Sequence, residues 1–103
     1  MQKLQNKDLF INQGLISGQW VDAQNKETFG VQNPANGELL GEVANLGAEE
    51  ITDCIDVAKD AFAHWSALSA KERQNILYKW NELILANQEE LATIMVYEQG
   101  KPF

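Results

Sequence analysis

Cysteine, proline and histidine are scarce in this 103-residue chain, which contains one cysteine, two prolines and one histidine. The single cysteine, Cys54, cannot form an intramolecular disulfide, and these counts exclude a metal site built from clustered histidines and cysteines. Basic side chains are also few, since 8 Lys and Arg stand against 15 Asp and Glu and give a net charge of −7. This acidity argues against nucleic acid and against an anionic membrane surface as partners.

Long hydrophobic runs are absent as well, so the sequence predicts no membrane-spanning helix. Residues 1–8 are polar and lack the apolar centre of a secretory signal peptide. We therefore expect a protein of the reducing cytoplasm. A hydrophobic content of 45% is typical of a globular protein, and the length suffices for one domain.

The pattern of the sequence changes near Gly47. Before it, turn-forming residues separate short β-prone runs: residues 15–21 predict a hairpin around a Ser-Gly step, and residues 28–32 and 39–44 predict two further strands. Residues 33–37, Asn-Pro-Ala-Asn-Gly, are strong turn formers. We expect them to join those two strands in an antiparallel hairpin.

After Gly47 the apolar residues recur at helical intervals. A first helix is predicted at about residues 48–66, with Glu49 and Glu50 in its first turn, where the helix dipole favours anions. Its apolar face comprises Ile51, Ile55, Ala58, Phe62 and Trp65.

Two more helices follow. Ser69 and Glu72 have the spacing of a capping box and begin the second helix, and Asn87 and Glu90 repeat that spacing at the start of the third. Gly100 is expected to end the third helix. The pattern as a whole predicts an α+β fold, with antiparallel β-hairpins followed by about three helices. The apolar stripes of the last two helices comprise Ile76, Leu77, Trp80, Leu83, Ile84, Leu91, Ile94 and Met95.

Few residues are candidates for chemistry. Cys54 is flanked by Asp53 and Asp56, and nearby negative charge disfavours a reactive thiolate, so a structural cysteine is favoured over a nucleophile. His64 follows Asp60 by one helical turn and is interpreted as a surface histidine. No glycine-rich phosphate-binding motif occurs.

Two tryptophans, Trp65 and Trp80, lie on apolar helix stripes, so core packing is favoured over a ligand platform. The residues taken by themselves therefore contain no catalytic set. Two classes of function remain open: an interaction module that buries its apolar helix faces against a partner, or a piece of a larger enzyme.

Four motifs resemble those of the NAD(P)-dependent aldehyde dehydrogenases. Residues 15–20 (Leu-Ile-Ser-Gly-Gln-Trp) are similar to the first strand pair of that family, and residues 33–38 (Asn-Pro-Ala-Asn-Gly-Glu) to its Asn-Pro turn. Residues 58–65 resemble its Ala-Phe-Trp helix, and residues 98–102 its Glu-x-Gly-Lys-Pro element. The four occur in the family's order over about residues 10–103.

Within that family the motifs are most similar to the succinate-semialdehyde dehydrogenases, with the glutarate-semialdehyde dehydrogenases as an alternative. The resemblance implies oxidation of a short ω-carboxy aldehyde with hydride transfer to NAD or NADP, which for the succinate enzymes serves 4-aminobutyrate degradation. It also implies that residues 1–103 are a single partial domain from the start of the cofactor-binding domain. Its parts are a polar segment (1–14), a β-hairpin region (15–47) and a helical region (48–103).

The family's catalytic residues and its glycine-rich cofactor turn come later in such enzymes, and none has a counterpart here. We therefore expect no catalytic and no cofactor-binding residue in this chain, and an N-terminal fragment that is inactive alone and binds neither NAD nor NADP. The chain ends at Lys101-Pro102-Phe103, inside a motif region of the family. Its expected partner is the rest of the parent enzyme, and a free-standing, non-catalytic interaction module is the alternative.

One site is implied by the resemblance. Some family members hold a structural monovalent cation between the strand before the Asn-Pro turn and the acidic residue before Gly-Lys-Pro. The matching positions are the carbonyls of Val31 and Gln32 and the carboxylate of Glu98, whose hard oxygen atoms suit such an ion. A solvent-facing Glu98 is the alternative.

Truncation has a further consequence for the helices. Their apolar faces near Trp65, Trp80 and Met95 would meet a sheet that this chain lacks. Because large exposed apolar patches favour association, we expect self-association or exchange of elements between copies.

Overall fold

The structure, a computed structural model, describes residues 4–103. A short 3-10 helix at Lys7–Leu9 precedes four strands and three α-helices. The elements in chain order are β1 (Gly14–Ile16), β2 (Gln19–Val21), β3 (Thr28–Gln32), β4 (Leu39–Ala44), α1 (Ala48–Ala67), α2 (Ala70–Ala86) and α3 (Gln88–Gln99). The predicted α+β fold, hairpins first and helices after, is confirmed. Residues 1–3 of the predicted polar segment lie outside the described residues.

The loop of the first hairpin is formed by the predicted Ser-Gly pair. β1 and β2 are antiparallel, with Ile16 opposite Gln19, so the loop consists of two residues. Ser17 and Gly18 both have positive φ angles, 52° and 75°. A two-residue loop of this kind matches the right-handed twist of the strands, which explains why so short a hairpin forms here.

The second hairpin joins β3 to β4 through the Asn-Pro turn, as predicted. Asn33 is buried, and its Oδ1 accepts a hydrogen bond from the N–H of Ala35 at 2.9 Å. Asn36 repeats the arrangement, since its Oδ1 accepts from the N–H of Glu38 at 2.9 Å. Gly37 has a φ of 74°, a left-handed conformation that glycine adopts without strain. The turn is therefore closed by its own side chains.

The helices begin where the sequence predicts, but the interactions that cap them differ from one helix to the next. At α2 the capping box is present: Ser69 Oγ accepts from the N–H of Glu72 at 3.1 Å, and Glu72 Oε2 accepts from the N–H of Ser69 at 2.7 Å. The second predicted box, Asn87 with Glu90, is wrong. Asn87 Nδ2 donates instead to the Leu83 carbonyl at 2.8 Å, back into α2.

The molecule is open. Its radius of gyration is 16.6 Å, whereas a compact domain of this length has about 13 Å. Its accessible surface of 8186 Å² exceeds by about 2,300 Å² the roughly 5,800 Å² expected of a compact monomer of 11.6 kDa. Among residues 4–103 the buried hydrophobic residues are Leu4, Ala23 and Leu40.

The apolar helix stripes are correspondingly exposed. Trp65 is half-buried, but Trp80 is 63% exposed. The core-packing interpretation of Trp80 is therefore wrong within this chain, because no described element covers that face of α2. No helix among residues 4–103 is long and apolar enough to cross a membrane.

Candidate functional site

The candidate cation site begins at the end of α3. Glu98 is exposed in the last turn of this helix, two residues before Gly100. Gly100 ends the helix in a left-handed conformation with a φ of 68°, and its N–H donates to the Val96 carbonyl at 2.9 Å. A Cβ at Gly100 would lie 3.3 Å from Pro34 Cγ, so the end of α3 lies against the Asn-Pro turn.

The other two predicted ligands lie at the end of β3, directly before that turn. Val31 is half-buried and Gln32 is exposed. Val31 pairs with Gly41 and Gln32 with Leu39, so the ladder is irregular between them and Leu40 is the extra residue on β4. Bulges of this kind bend a strand and redirect its backbone groups.

The structure thus brings together the two elements that carry the predicted ligands. Two backbone carbonyls and one exposed carboxylate are hard oxygen donors, which fit a monovalent cation. Among residues 4–103 no group of three or more His, Cys, Asp or Glu side chains is placed to hold a metal ion. The cation site at Val31, Gln32 and Glu98 remains a prediction.

Cys54 and His64 form no catalytic pair. Both lie on α1, ten positions apart, which separates their backbones by about 15 Å along the helix. Cys54 is half-buried and His64 is exposed. This placement agrees with a structural cysteine and a surface histidine.

Glu50 has a role that the sequence analysis missed. Its Oε1 accepts the N–H of Gln24 at 2.7 Å, and its Oε2 accepts the N–H of Gly47 at 2.8 Å. The backbone hydrogen bond from Gln24 is the main reason why the pKa of this carboxyl lies below its ordinary value. Buried against the β2–β3 connection, Glu50 fastens the first hairpin to the start of α1.

Glu90 makes a comparable link at the start of α3. Its Oε1 accepts the N–H groups of Gln5 and Asn6 at 2.9 and 3.1 Å, and its Oε2 lies 3.2 Å from the same Asn6 nitrogen. The N-terminal segment is therefore held by the third helix. The spacing of Asn87 and Glu90 indicated a local cap and gave no sign of this distant contact.

Arg73 was also missed. It is half-buried on α2, and its Nε is buried without a hydrogen-bond partner among the described residues. It borders a shallow cavity of about 520 Å³ together with Trp65, Leu77 and Tyr78. A buried N–H without an acceptor is unfavourable.

The comparisons with known proteins agree with these motifs. The family model described as "Aldehyde dehydrogenase family" matches residues 20–103. The chain belongs to the aldehyde dehydrogenase family. Such enzymes are oxidoreductases, and this chain is similar to the amino-terminal part of them.

Among curated relatives of this aldehyde dehydrogenase chain, "Succinate-semialdehyde dehydrogenase [NADP(+)] GabD" of Escherichia coli is 49% identical over 97% of the chain. "Glutarate-semialdehyde dehydrogenase" of Pseudomonas aeruginosa is 46% identical over 97% of it. A solved structure, "Crystal structure of E. coli NADP dependent enzyme", aligns with a TM-score of 0.92 and 49% identity over 97% of this chain. The chain spans 21% of the length of each of these relatives.

Proposed function

We propose that this aldehyde dehydrogenase chain is the amino-terminal part of an NAD(P)-dependent succinate-semialdehyde dehydrogenase, which oxidises succinate semialdehyde to succinate in 4-aminobutyrate degradation. The observation that carries the proposal is the 49% identity to GabD over nearly the whole chain. The TM-score of 0.92 to a solved NADP-dependent enzyme supports the same assignment. We place the protein in the cytoplasm.

In this proposal the chain contributes scaffold and no chemistry. Cys54 and His64 are separated along one helix, and the described carboxylates with several hydrogen bonds, Glu50 and Glu90, bind backbone N–H groups. In the intact enzyme NAD or NADP accepts the hydride, and we assign no residue of this chain to its binding. The exposed stripes of α1 and α2 are the surfaces that the rest of the enzyme covers.

A chimera tests the proposed place in the enzyme. The equivalent fifth of GabD is replaced by this chain, and reduction of NADP is followed with succinate semialdehyde and with glutarate semialdehyde. We expect a folded, active enzyme that keeps the substrate preference of intact GabD, since the remainder of GabD supplies the residues that bind the substrate. A matched chimera carrying Glu50→Gln serves as the control for assembly, because that side chain fastens the first hairpin to α1. An insoluble or inactive parent chimera contradicts the proposal.

The chain alone tests the absence of catalysis. Purified 103-residue protein is incubated with succinate semialdehyde and either nicotinamide cofactor, beside intact GabD. We expect no reduced cofactor above the buffer rate, since covalent catalysis needs an activated nucleophile and hydride transfer needs a held cofactor. Turnover that co-purifies with the chain refutes this part of the proposal.

Two alternatives have specific support. The 46% identity to a glutarate-semialdehyde dehydrogenase favours the longer substrate. A second chimera built on that relative tests this alternative, since this chain should then restore a larger share of the parent rate there than in GabD. The exposed helix faces favour a free-standing interaction module. A module of that kind would bind a partner protein from the same cells with defined stoichiometry, whereas an enzyme segment would not.

A further inference from the structure

Two turns of the strand region hold an exposed asparagine in the same way. Asn36 Oδ1 accepts the N–H of Glu38 at 2.9 Å, and Asn25 Oδ1 accepts the N–H of Glu27 at 3.0 Å. Both asparagines are exposed, so water reaches each of them. Side chains of this kind close a turn by bonding to the backbone two residues further on.

The residue that follows the asparagine distinguishes the two turns. Gly37 follows Asn36 with a φ of 74°, and Lys26 follows Asn25 with a φ of 62°. Asn-Gly occurs once in the sequence, at this position. Glycine lacks the Cβ that crowds the approach to a backbone nitrogen. A Cβ built at Gly37 would meet no heavy atom of the described residues within 4 Å, its two chain neighbours aside.

The backbone of the turn holds the Gly37 nitrogen in the folded chain. The N–H of Gly37 donates to the Asn33 carbonyl at 2.8 Å, and the N–H of Asn33 donates to the Glu38 carbonyl at 2.8 Å. The Glu38 N–H at Asn36 Oδ1 has the opposite effect, because a donor there stabilises the negative charge that develops when the amide is attacked. The turn therefore activates the amide of Asn36 and restrains the nearest nucleophile.

We propose that Asn36 is a site of spontaneous conversion to isoaspartate, which the closed turn prevents until it opens. The Gly37 nitrogen loses its proton and attacks Asn36 Cγ, the bond from Cγ to the side-chain nitrogen breaks, and ammonia leaves with the proton. Water then opens the resulting cyclic imide at either carbonyl and gives aspartate or isoaspartate. The reaction consumes one water and releases one ammonia, and nothing is oxidised or reduced.

The modification would change the connection between β3 and β4. Isoaspartate carries the main chain through Cγ, which adds a methylene to the backbone of the turn. The bonds from Gly37 to Asn33 and from Asn33 to Glu38 cannot all keep their geometry after this insertion. The end of α3 lies against Pro34 in the same turn, so its contact is expected to loosen as well. The proposal does not depend on the substrate of the proposed enzyme.

Peptide mapping by mass spectrometry tests the proposal. The 103-residue chain is held at mildly alkaline pH, either folded or in guanidinium chloride, and conversion of each asparagine is followed with time. We expect Asn36 to convert about 30-fold faster in denaturant, the factor for two hydrogen bonds of ordinary strength that must open. Asn25 should stay intact in both conditions. Methylation by an isoaspartyl methyltransferase, used as a reagent, identifies the isoaspartate.

Lys26→Gly is the matched variant. It places a glycine after Asn25 in a turn that already has a positive φ, so the fold should tolerate it. In denaturant, Asn25 of this variant should convert about as fast as Asn36. If Asn25 stays intact, the role assigned to the glycine is wrong.

Asn33→Ala tests the restraint by the turn. It removes the acceptor for the Ala35 N–H and should speed conversion of Asn36 in the folded chain about fivefold, the factor for one hydrogen bond. If circular dichroism shows that this variant is unfolded, Asn36 should convert in buffer at the rate of the original chain in denaturant. Equal rates for Asn36 in the folded and the denatured original chain overturn the restraint. An intact Asn36 in denaturant overturns the site itself.

Discussion

The strand region and the helical region of this chain are stabilised in opposite ways. Between β1 and β4 the turns are closed by their own backbone and side chains, and the buried hydrophobic residues Ala23 and Leu40 lie in this part. In the helical region α2 begins with a complete capping box, but the apolar faces of α1 and α2 are largely exposed. Local interactions close the two hairpins, whereas the helices form as separate elements whose apolar faces are not covered by other described residues.

The largest expected difference between the regions comes from one substitution made in both. Leu40→Ala removes a buried side chain at the bulge of β4 and should lower the free energy of unfolding by about 2 to 3 kcal/mol. Leu83→Ala removes an exposed side chain from α2 and should change it by less than about 0.5 kcal/mol. Urea denaturation at low protein concentration measures both. Equal effects would contradict the contrast between the regions.

The next effect tests the carboxylate that joins the regions. The folded pKa of Glu50 lies below the ordinary value of 4.5, so the unfolded chain takes up its proton first as the pH falls. The stabilisation by Glu50 is therefore complete above pH 4.5 and is lost as the pH falls through the folded pKa. Glu50→Gln should lower the melting temperature at neutral pH by several degrees and flatten this acid dependence.

Glu49→Gln is the control for this variant, since Glu49 is exposed in the same helical turn. It should leave the pH profile of the melting temperature nearly unchanged. A profile for Glu50→Gln that retains the full acid dependence would show that other groups are responsible. The pKa of Glu72 is also lowered, by the backbone N–H and the hydroxyl of Ser69. Because Glu72 is unchanged in both variants, its contribution to the acid dependence of stability remains in each.

A smaller effect tests a cap that lies wholly within the helical region. Ser69→Ala removes the acceptor for the Glu72 N–H and should cost about 1 kcal/mol, because an N-cap side chain satisfies a helix donor that has no other partner. Ser66→Ala is the comparison, since Ser66 Oγ donates to the Ala63 carbonyl at 3.3 Å within the helix and should matter by less than about 0.5 kcal/mol. Thermal denaturation followed by circular dichroism separates the two. If Ser69→Ala is no less stable than Ser66→Ala, the prediction for the cap is wrong.

The smallest effect belongs to the predicted cation site, where the two regions meet. If Val31, Gln32 and Glu98 hold a monovalent ion, potassium or sodium chloride should stabilise the chain more than choline chloride at equal ionic strength. At a salt concentration equal to the dissociation constant the gain is about 0.4 kcal/mol. Glu98→Gln should abolish the difference between the salts. An identical difference in the variant would exclude the carboxylate as a ligand.

The sequence predicted this molecule well wherever the determinant was local. The strands at Thr28–Gln32 and Leu39–Ala44 were predicted to the residue, because a turn of asparagine, proline and glycine separates them. The Ser69 box was confirmed for the same reason. The partners of Glu50 and Glu90 were not predicted. A position in the first helical turn, and for Glu90 the spacing of a capping box, is the same whether the carboxylate bonds to its own helix or to a distant segment.

The same limit applies to burial and to the candidate site. A stripe of apolar residues indicates that a face will pack, but it does not indicate which surface it packs against, and no element among residues 4–103 covers Trp80. Arg73 gave no local signal, as its missing acceptor is a property of packing. The contact of Gly100 with Pro34 likewise depends on how α3 lies across the second hairpin.

The bond between Glu90 and the N-terminal segment has a consequence for the order of synthesis. Its two ends are 85 residues apart, from Gln5 to Glu90. On a ribosome Gln5 and Asn6 emerge well before α3, so Glu90 cannot yet bind their backbone N–H groups at the stage when both hairpins are able to close. Closing so long a loop also carries a larger entropic cost than closing a hairpin. In a nascent chain we therefore expect protease to cut around Gln5 and Asn6 until α3 has emerged, and this segment to be protected afterwards.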